Sequence, residues 1–243
     1  MAKLAGDHVQ VLVDGYELTG DSNRINIDEG RDLFDITAFG DEVHKFSPGQ
    51  RTMALQHAGF MNSAEGRSHP VLQGAAADGV FSLYLGQNAA PTAGDPVFSL
   101  LARQGRYGAL PQVNQMIPFR ARFANRGEDG GWGIALTQPV DLTGSTSGSA
   151  VDNGGANDGG GIACLHVLEA AAGDAYSITI EGSGSGAFTG EERTLATFTL
   201  DGRALGSEQV KIEGRIPRYT RWRAEAGPSA SDRIRIAVSL IRK

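Results

Sequence analysis

Five histidines (His8, His44, His57, His69 and His166) and one cysteine, Cys164, are the side chains best suited to hold a metal or carry nucleophilic chemistry. No two of the histidines have a ligand spacing such as His-x3-His, and Cys164 with His166 on one face of an extended segment would leave a zinc centre incomplete. Hydrolase chemistry has no better footing, because no Gly-x-Ser-x-Gly elbow stands between a strand and a helix. The run Gly182 to Gly186, GSGSG, does not open a helix as a dinucleotide-binding loop must; Ala187 and Phe188 lead towards another strand. The stretch Asp152 to Gly161 is similar to one copy of a Gly/Asp calcium repeat, and one copy cannot complete an oxygen cage. The adjacent carboxylates Asp41-Glu42 and Glu191-Glu192 are the remaining acid–base candidates. Neighbours in a strand face opposite ways, and both pairs sit in turn-like sequence, so they are expected as solvated charges. Trp132 and Trp222 with the tyrosines suggest a sugar-stacking platform. Tyr219 and Trp222, however, fall on opposite faces of one strand, and Trp222 is expected in the core or an interface. No catalytic residue, cofactor or metal is therefore expected, and the chain is read as non-enzymatic.

The elements that must position these residues are strands. Apolar side chains recur at every second position: Val9, Val11 and Val13; Ile25 and Ile27 against Arg24, Asn26 and Asp28; Phe34 and Ile36; Met53 and Leu55; Phe81, Leu83 and Leu85; Phe119, Ala121 and Phe123 against Arg120 and Arg122. The second half continues with Tyr176, Ile178 and Ile180, then Val210 and Ile212, then Ile234, Ile236, Val238 and Leu240. Asp14-Gly15, Asp78-Gly79 and Asp201-Gly202 supply turn signals between runs. Many short strands at this spacing imply an all-β sandwich or barrel. One stretch, Ser68 to Ala76, reads as helix, with Ser68 as N-cap and Pro70 in the first turn. His57, His166 and Cys164 lie in apolar strands and are expected to be buried; His44 and His69 lie in polar segments and are expected to be solvated.

Hydrophobic residues make up 40 % of the chain and charged residues 21 %, enough for a true core. The formal charge of −6 excludes a generally polybasic protein. No apolar run approaches a membrane span, and Met1 to Asp7 has no signal-peptide core, so folding in a cytoplasm is expected. The segment 143–161, TGSTSGSAVDNGGANDGGG, is a Gly/Ser/Asn-rich linker by composition. It divides the chain into a first β-domain, 1–142, and a smaller second one, 162–243.

The first sixty residues carry a family resemblance. Gln10-Val-Leu-Val-Asp-Gly-Tyr-Glu-Leu-Thr-Gly20 is followed by Asn23 to Asp28, by Leu33-Phe-Asp-Ile-Thr-Ala-Phe-Gly-Asp41, by Phe46-Ser-Pro-Gly49 and by a strand ending His57-Ala-Gly-Phe60. This order resembles the opening of the tail tube (major tail) proteins of long-tailed bacteriophages, the siphophages. The strand Ile117-Pro-Phe-Arg-Ala-Arg-Phe123 suits a late tube-domain strand. The resemblance implies a tail-tube β-sandwich with a long hairpin, here expected between Asp35 and Phe60. It also implies a virion component assembled in the host cytoplasm. Such a subunit forms rings stacked into a conduit for viral DNA, with a tape measure protein in the lumen and tail terminator and tail-tip proteins at the ends. No membrane partner is implied. The alternative is a carbohydrate- or surface-binding β-sandwich of a phage.

Within that reading, the loop from Ala38 to Gln50 is expected to touch the next ring through Phe39, Asp41, Glu42 and Lys45, beside a rigid Pro48-Gly49 turn. The second β-domain either enters the wall, giving three-fold rings, or decorates a six-fold tube; its long alternating strands favour three-fold. The negative charge predicts that Asp and Glu outnumber Lys and Arg on the lumen wall.

Overall fold

The computed structural model describes residues 6–74, 78–87, 89–126, 130–171, 175–227 and 233–243. The chain is nearly all β, and every strand pairing is antiparallel. The first half supplies β1 (Val9–Val13), β2 (Tyr16–Glu17), β3 (Ser22–Asp35), β4 (Phe46–Phe60), β5 (Asp78–Leu85), β6 (Pro96–Ala109), β7 (Pro118–Asn125) and β8 (Gly131–Leu142). The second supplies β9 (Thr146–Ser147), β10 (Val151–Asp152), β11 (Gly161–Glu169), β12 (Tyr176–Ser183), β13 (Arg193–Thr197), β14 (Gly206–Ile212), β15 (Tyr219–Ala226) and β16 (Ile234–Arg242). Among the described residues one α-helix, α1 (Ser68–Gln73), lies between β4 and β5; Ala75 and Ala76, the end of the expected helix, lie outside the described residues.

The larger sheet has the order β14-β11-β16-β8-β6-β5-β1-β2, with a branch in which β6 also pairs β7, β7 pairs β4, and β4 pairs β3. The smaller sheet has the order β10-β15-β12-β13, with β9 also on β15. The large sheet curls until its ends approach: Ser207 on β14 donates to Asp14 Oδ1 (2.8 Å) and accepts from the Val80 amide (2.8 Å). These are side-chain bonds, so the curl is not a closed barrel.

Two main cores result. One lies between the small sheet and β8, β11 and β16, and buries Leu136, Leu165, Ile178, Trp222 and Ile236. The other lies under β1, β4, β5, β6 and β7, where Val11, Leu55, Phe81, Phe98 and Phe119 close around Leu72 of α1. Strand β8 belongs to the first half in sequence, yet Leu136 and Leu142 complete the core built mainly by the second half, the second core in chain order. The segment 143–161 lies along that core. Trp222 covers Gly148, Asp152 forms a two-pronged pair with Arg218 (2.8 and 2.6 Å), and Arg242 donates to the carbonyls of Gly155 and Asn153.

The turn expected at Asp14-Gly15 forms, with both residues at positive φ (47° and 80°), as a tight hairpin requires. Asp78-Gly79 is not a turn. It opens β5, where Asp78 opposes Arg103 and binds it, and Gly79 lies against the Asp14 side chain. Helix α1 starts where expected, but Ser68 is its first residue and Arg67 its N-cap. The Ser68 amide is satisfied by the Asp21 carboxylate (3.0 Å), a cap reached from 47 residues away. Asp21 also accepts from Asn62 (3.0 Å), which ties the hairpin base to the helix.

Gly59 sits at that same base, opposite Ser22. A methyl group there would lie 1.9 Å from the Asp21 carbonyl oxygen, against rigid backbone. Gly59→Ala is expected to cost about 3 kcal/mol by overpacking. It should appear as a lower urea midpoint at unchanged m-value; an unaltered midpoint would contradict the contact.

Candidate assembly surface

Strands β3 and β4 form a hairpin with register Ser22↔Gly59 through Asp35↔Phe46. Its inner half is built into the sheet, since β4 also pairs β7 from Ala54↔Ala124 to Phe60↔Pro118. Its outer half is not: from Phe46 to Met53, β4 has β3 as its only strand partner among the described residues. Eight residues at ~3.3 Å each carry the hairpin about 26 Å beyond β7. Burial follows the same division. Met53, Leu55 and His57 are buried, whereas every residue from Asp28 to Gly40 is exposed.

The expected hairpin between Asp35 and Phe60 is thus displaced. Its first strand ends at Asp35 instead of starting there, and the connection is 36–45. Pro48 and Gly49 do not turn the chain. They lie within β4, with Pro48 opposite Leu33 across an irregularity between Arg31 and Leu33, and with the Phe34 ring over Gly49. A ladder tolerates proline where a bulge or edge leaves no partner for the missing N–H, and both conditions hold here.

The tip is ordered by its own polar groups. The Thr37 amide donates to Asp35 Oδ1 (2.9 Å), the Ala38 amide to Asp41 Oδ2 (2.9 Å), and the Lys45 amide to Thr37 Oγ1 (3.1 Å). Lys45 also forms an ion pair with Asp41. These bonds hold the carboxyls of Asp35 and Asp41 below the usual carboxylate range, through Thr37 and Lys45 respectively. Such a frame leaves the apolar side chains outside: Phe39 is fully exposed, Val43 is 70 % exposed, and Leu33, Phe34, Ile36 and Phe46 are exposed as well. Of the expected contact residues, Phe39, Asp41, Glu42 and Lys45 are together at the tip, while Pro48 and Gly49 are in the stalk.

A second apolar cluster was not anticipated. The β6–β7 connection presents Leu110, Val113 (88 % exposed) and Met116. It lies beyond the Ala109↔Phe119 pair, and Phe119 in turn opposes Gly59, so this loop and the hairpin tip mark opposite ends of the patch β3-β4-β7-β6. The sequence signal for it is weak: between Pro111 and Pro118, Val113, Met116 and Ile117 stand without alternation among Gln112, Asn114 and Gln115.

The patch has two open edges. Among the described residues, β3 pairs only β4, and β6 beyond Arg103 pairs only β7, leaving Gln104 to Ala109 without a strand neighbour on the β5 side. One face packs on the core and α1. The other, read from the cross-strand register, carries Arg24, Asn26 and Asp28 on β3, Gln56 on β4, Arg120 and Arg122 on β7, and Arg106 on β6. On this face arginine outnumbers carboxylate, the reverse of what the whole-chain charge suggests.

The residues first considered for chemistry are dispersed. His57 and His166 are fully buried in different parts of the fold, His44 is exposed at the hairpin tip, and His69 is half-buried against the Tyr107 hydroxyl (2.9 Å) instead of solvated. Cys164 is fully buried, and burial pushes its thiol up to about 12. Asp152 is engaged by Arg218, which lowers its carboxyl to about 2. Glu191 accepts from Ser183 (2.8 Å), Glu192 from the Gly190 amide (2.7 Å). Trp222 is buried and Trp132 is half exposed against Phe98, so the two form no shared platform.

No protein-family model and no curated protein sequence matches the chain. Among solved structures, the chain is similar to one from the virion of the native gene transfer agent particle (TM-score 0.42, 14 % identity), over 52 % of this chain and 96 % of that one. It is similar over the same shares to a chain from the tail of the empty gene transfer agent particle, refined with C6 symmetry (TM-score 0.38, 12 % identity). A third similarity, to the Dit protein of phage SPP1 (TM-score 0.31, 12 % identity), spans 96 % of this chain and 99 % of that protein.

Proposed function

We propose that the chain is a non-enzymatic structural subunit of a siphophage-type tail tube, which closes with copies of itself into rings, stacks them, and conducts viral DNA. The observation that carries this reading is the patch β3-β4-β7-β6, with an open edge on each flank and an exposed apolar cluster at each end. An open strand edge of fourteen residues is an aggregation hazard unless another chain covers it. Pairing β3 of one subunit with the Gln104–Ala109 edge of the next covers the whole β6 edge and six residues of β3. That contact is heterologous and closes into a ring. The apolar hairpin tip then meets the Leu110–Val113–Met116 loop of the adjacent ring, so stacking is head to tail.

One such patch per chain favours six-fold rings over the three-fold arrangement expected from the sequence. A three-fold ring needs a second projecting hairpin in each subunit. The strands from β11 onward are at most nine residues long, and each turns apolar residues into the second core. In this reading the tube unit and the unit built on 162–243 share β8, with the second unit outside the wall. The tape measure protein and the DNA occupy the lumen, and terminator and tail-tip proteins close the ends.

Cross-linking tests the ring contact. Cys164 is buried, so Asp28→Cys on β3 combined with Gly108→Cys on β6 provides the reactive thiols. A short bis-maleimide is expected to give an intermolecular ladder ending at a closed hexamer, seen as rings in negative stain. Monomers alone at every concentration, with or without tail-tip proteins, would overturn the reading.

A further inference from the structure

Four arginines on the outward face of the patch have no carboxylate partner among the described residues. Arg24, Arg106, Arg120 and Arg122 are all exposed, and none makes an ion pair among the described residues, whereas Arg103 and Arg126 nearby are both held by Asp78. Arg106 and Arg122 are cross-strand partners and stand directly opposite each other. Like charges so placed are destabilising. Over the four-stranded part of the patch, Asp28 is the one carboxylate on this face among the described residues, and it lies on β3, with β4 between it and the arginines of β7; Asp78, in the same row beyond β6, is already held by Arg103 and Arg126. In a chain whose net charge is −6, this concentration of cations is not a sampling of the average surface. An anion supplied from outside removes the repulsion.

The form of the face selects the anion. Arg120 and Arg122 are two residues apart on one strand, about 6.6 Å, and their register partners place Arg106 and Arg24 one and two strands away at ~4.8 Å per strand. Between them lie Ala58 and Gly108, and the one larger neighbour, Gln56 beside Arg122, carries a polar amide that can itself donate to an anion. A flat lattice of forked donors suits phosphate oxygens, which a guanidinium binds in two-pronged fashion. An acidic peptide needs apolar anchors among the charges as well, and the exposed apolar groups, such as Phe60 and Leu110, lie at the margin of this face and not between the arginines. With no row of aromatics there is also no platform for stacking unpaired bases.

We propose that this face is a sequence-independent site for the phosphate backbone of duplex DNA, held by Arg24, Arg106, Arg120 and Arg122. The inference rests on the tube reading only for the source of the DNA, because there the face turns towards the ring axis. It replaces the expected acidic wall with one that grips DNA weakly at many points.

The test uses the full-length soluble subunit and a fluorescein-labelled random-sequence duplex, with anisotropy read across a salt series. Four phosphate contacts give a log–log salt slope of about −3.6, so a fourfold rise in salt weakens binding about 100-fold. Arg120→Gln with Arg122→Gln halves the slope, and the same rise then costs about ten-fold. Arg24→Gln with Arg106→Gln does the same, and Lys211→Gln on β14 changes nothing. Circular dichroism verifies that each variant is folded. No binding at low salt, a slope unmoved by both double variants, or preference for labelled poly-glutamate over duplex overturns the inference. Ring formation is scored separately by negative stain. Variants that lose DNA but still close rings support the site; rings absent in the wild type while DNA still binds count against the tube reading alone.

Discussion

Phe39→Asp is expected to leave a folded subunit that closes rings but does not stack them. Phe39 touches nothing that stabilises its own chain, being fully exposed, while the turn beneath it is held by Asp35, Thr37, Asp41 and Lys45. The substitution therefore removes no intrachain packing. Burying one phenylalanine at an interface contributes about 2 kcal/mol, and a six-fold ring repeats that contact at every junction. The loss is on the order of 10 kcal/mol per ring-on-ring contact, enough to turn long tubes into single rings. Deleting Gly40 to Lys45 removes Asp41, Val43 and Lys45 as well and is expected to give the same result. Sedimentation and tube length in negative stain are the measurements. Tubes of normal length from either variant would show that the tip is an idle surface loop.

Acid is expected to unfold this protein well above the pH at which carboxylates titrate. Burial lowers His57 to about 4 and His166 to about 3, against an unfolded value near 6.5. The hydrogen bonds give the same direction. His166 Nδ1 faces the Gly15 amide (3.5 Å) and so is the unprotonated nitrogen, leaving Nε2–H to donate to Ser82 Oγ (2.8 Å). A second proton would set N–H against N–H. For His57, Ser22 spends its hydroxyl proton on the Leu18 carbonyl (2.6 Å) and accepts from Nε2 (2.7 Å). His57 Nδ1 is buried with no hydrogen-bond partner among the described residues, and the imidazole ring stands nearly perpendicular to the rings of Phe81 and Phe119.

Because the unfolded chain binds these protons first, stability rises with pH through the window. It is complete above about 6.5 and is lost as pH falls towards 4 and 3. Each histidine contributes a slope of about 1.4 kcal/mol per pH unit, so urea unfolding at pH 5 should give about 4 kcal/mol less than at pH 7. That is a large part of the stability of an ordinary domain. His166→Gln cannot titrate and should halve the slope, whatever it does to the absolute value. Equal stabilities at pH 5 and 7 would contradict the buried neutral imidazoles.

Local facing was legible in the sequence. The alternation of Met53 and Leu55, of Phe119, Ala121 and Phe123, and of Ile25 and Ile27 marked the inner side of β4, β7 and β3, because a strand with one wet face must alternate. Burial of His57, His166, Cys164 and Trp222 followed from their apolar neighbours, and the exposed tip around Phe39, Asp41 and Lys45 from its polar composition. Strands β6 and β8 were not legible. Val97 to Leu100 and Ala135 to Thr137 are buried on both faces, which erases the period that identifies a strand. Pro48-Gly49 and Asp78-Gly79 have the composition of turns, yet sheet pairing holds them extended.

Pairing was decided by the tertiary structure alone. Nothing local tells β8 to cross to the second core, or Asp21 to cap a helix 47 residues away. Arg120 and Arg122 are visibly alternate in the sequence, and so is Arg24. That they share a face with Arg106, without a carboxylate partner among the described residues, depends on the registers of β3 with β4, β4 with β7 and β6 with β7. Periodicity records which way a side chain points relative to its own strand. Which charges then meet is fixed by long-range hydrogen bonding between strands, and that information lies in the packing of the whole chain.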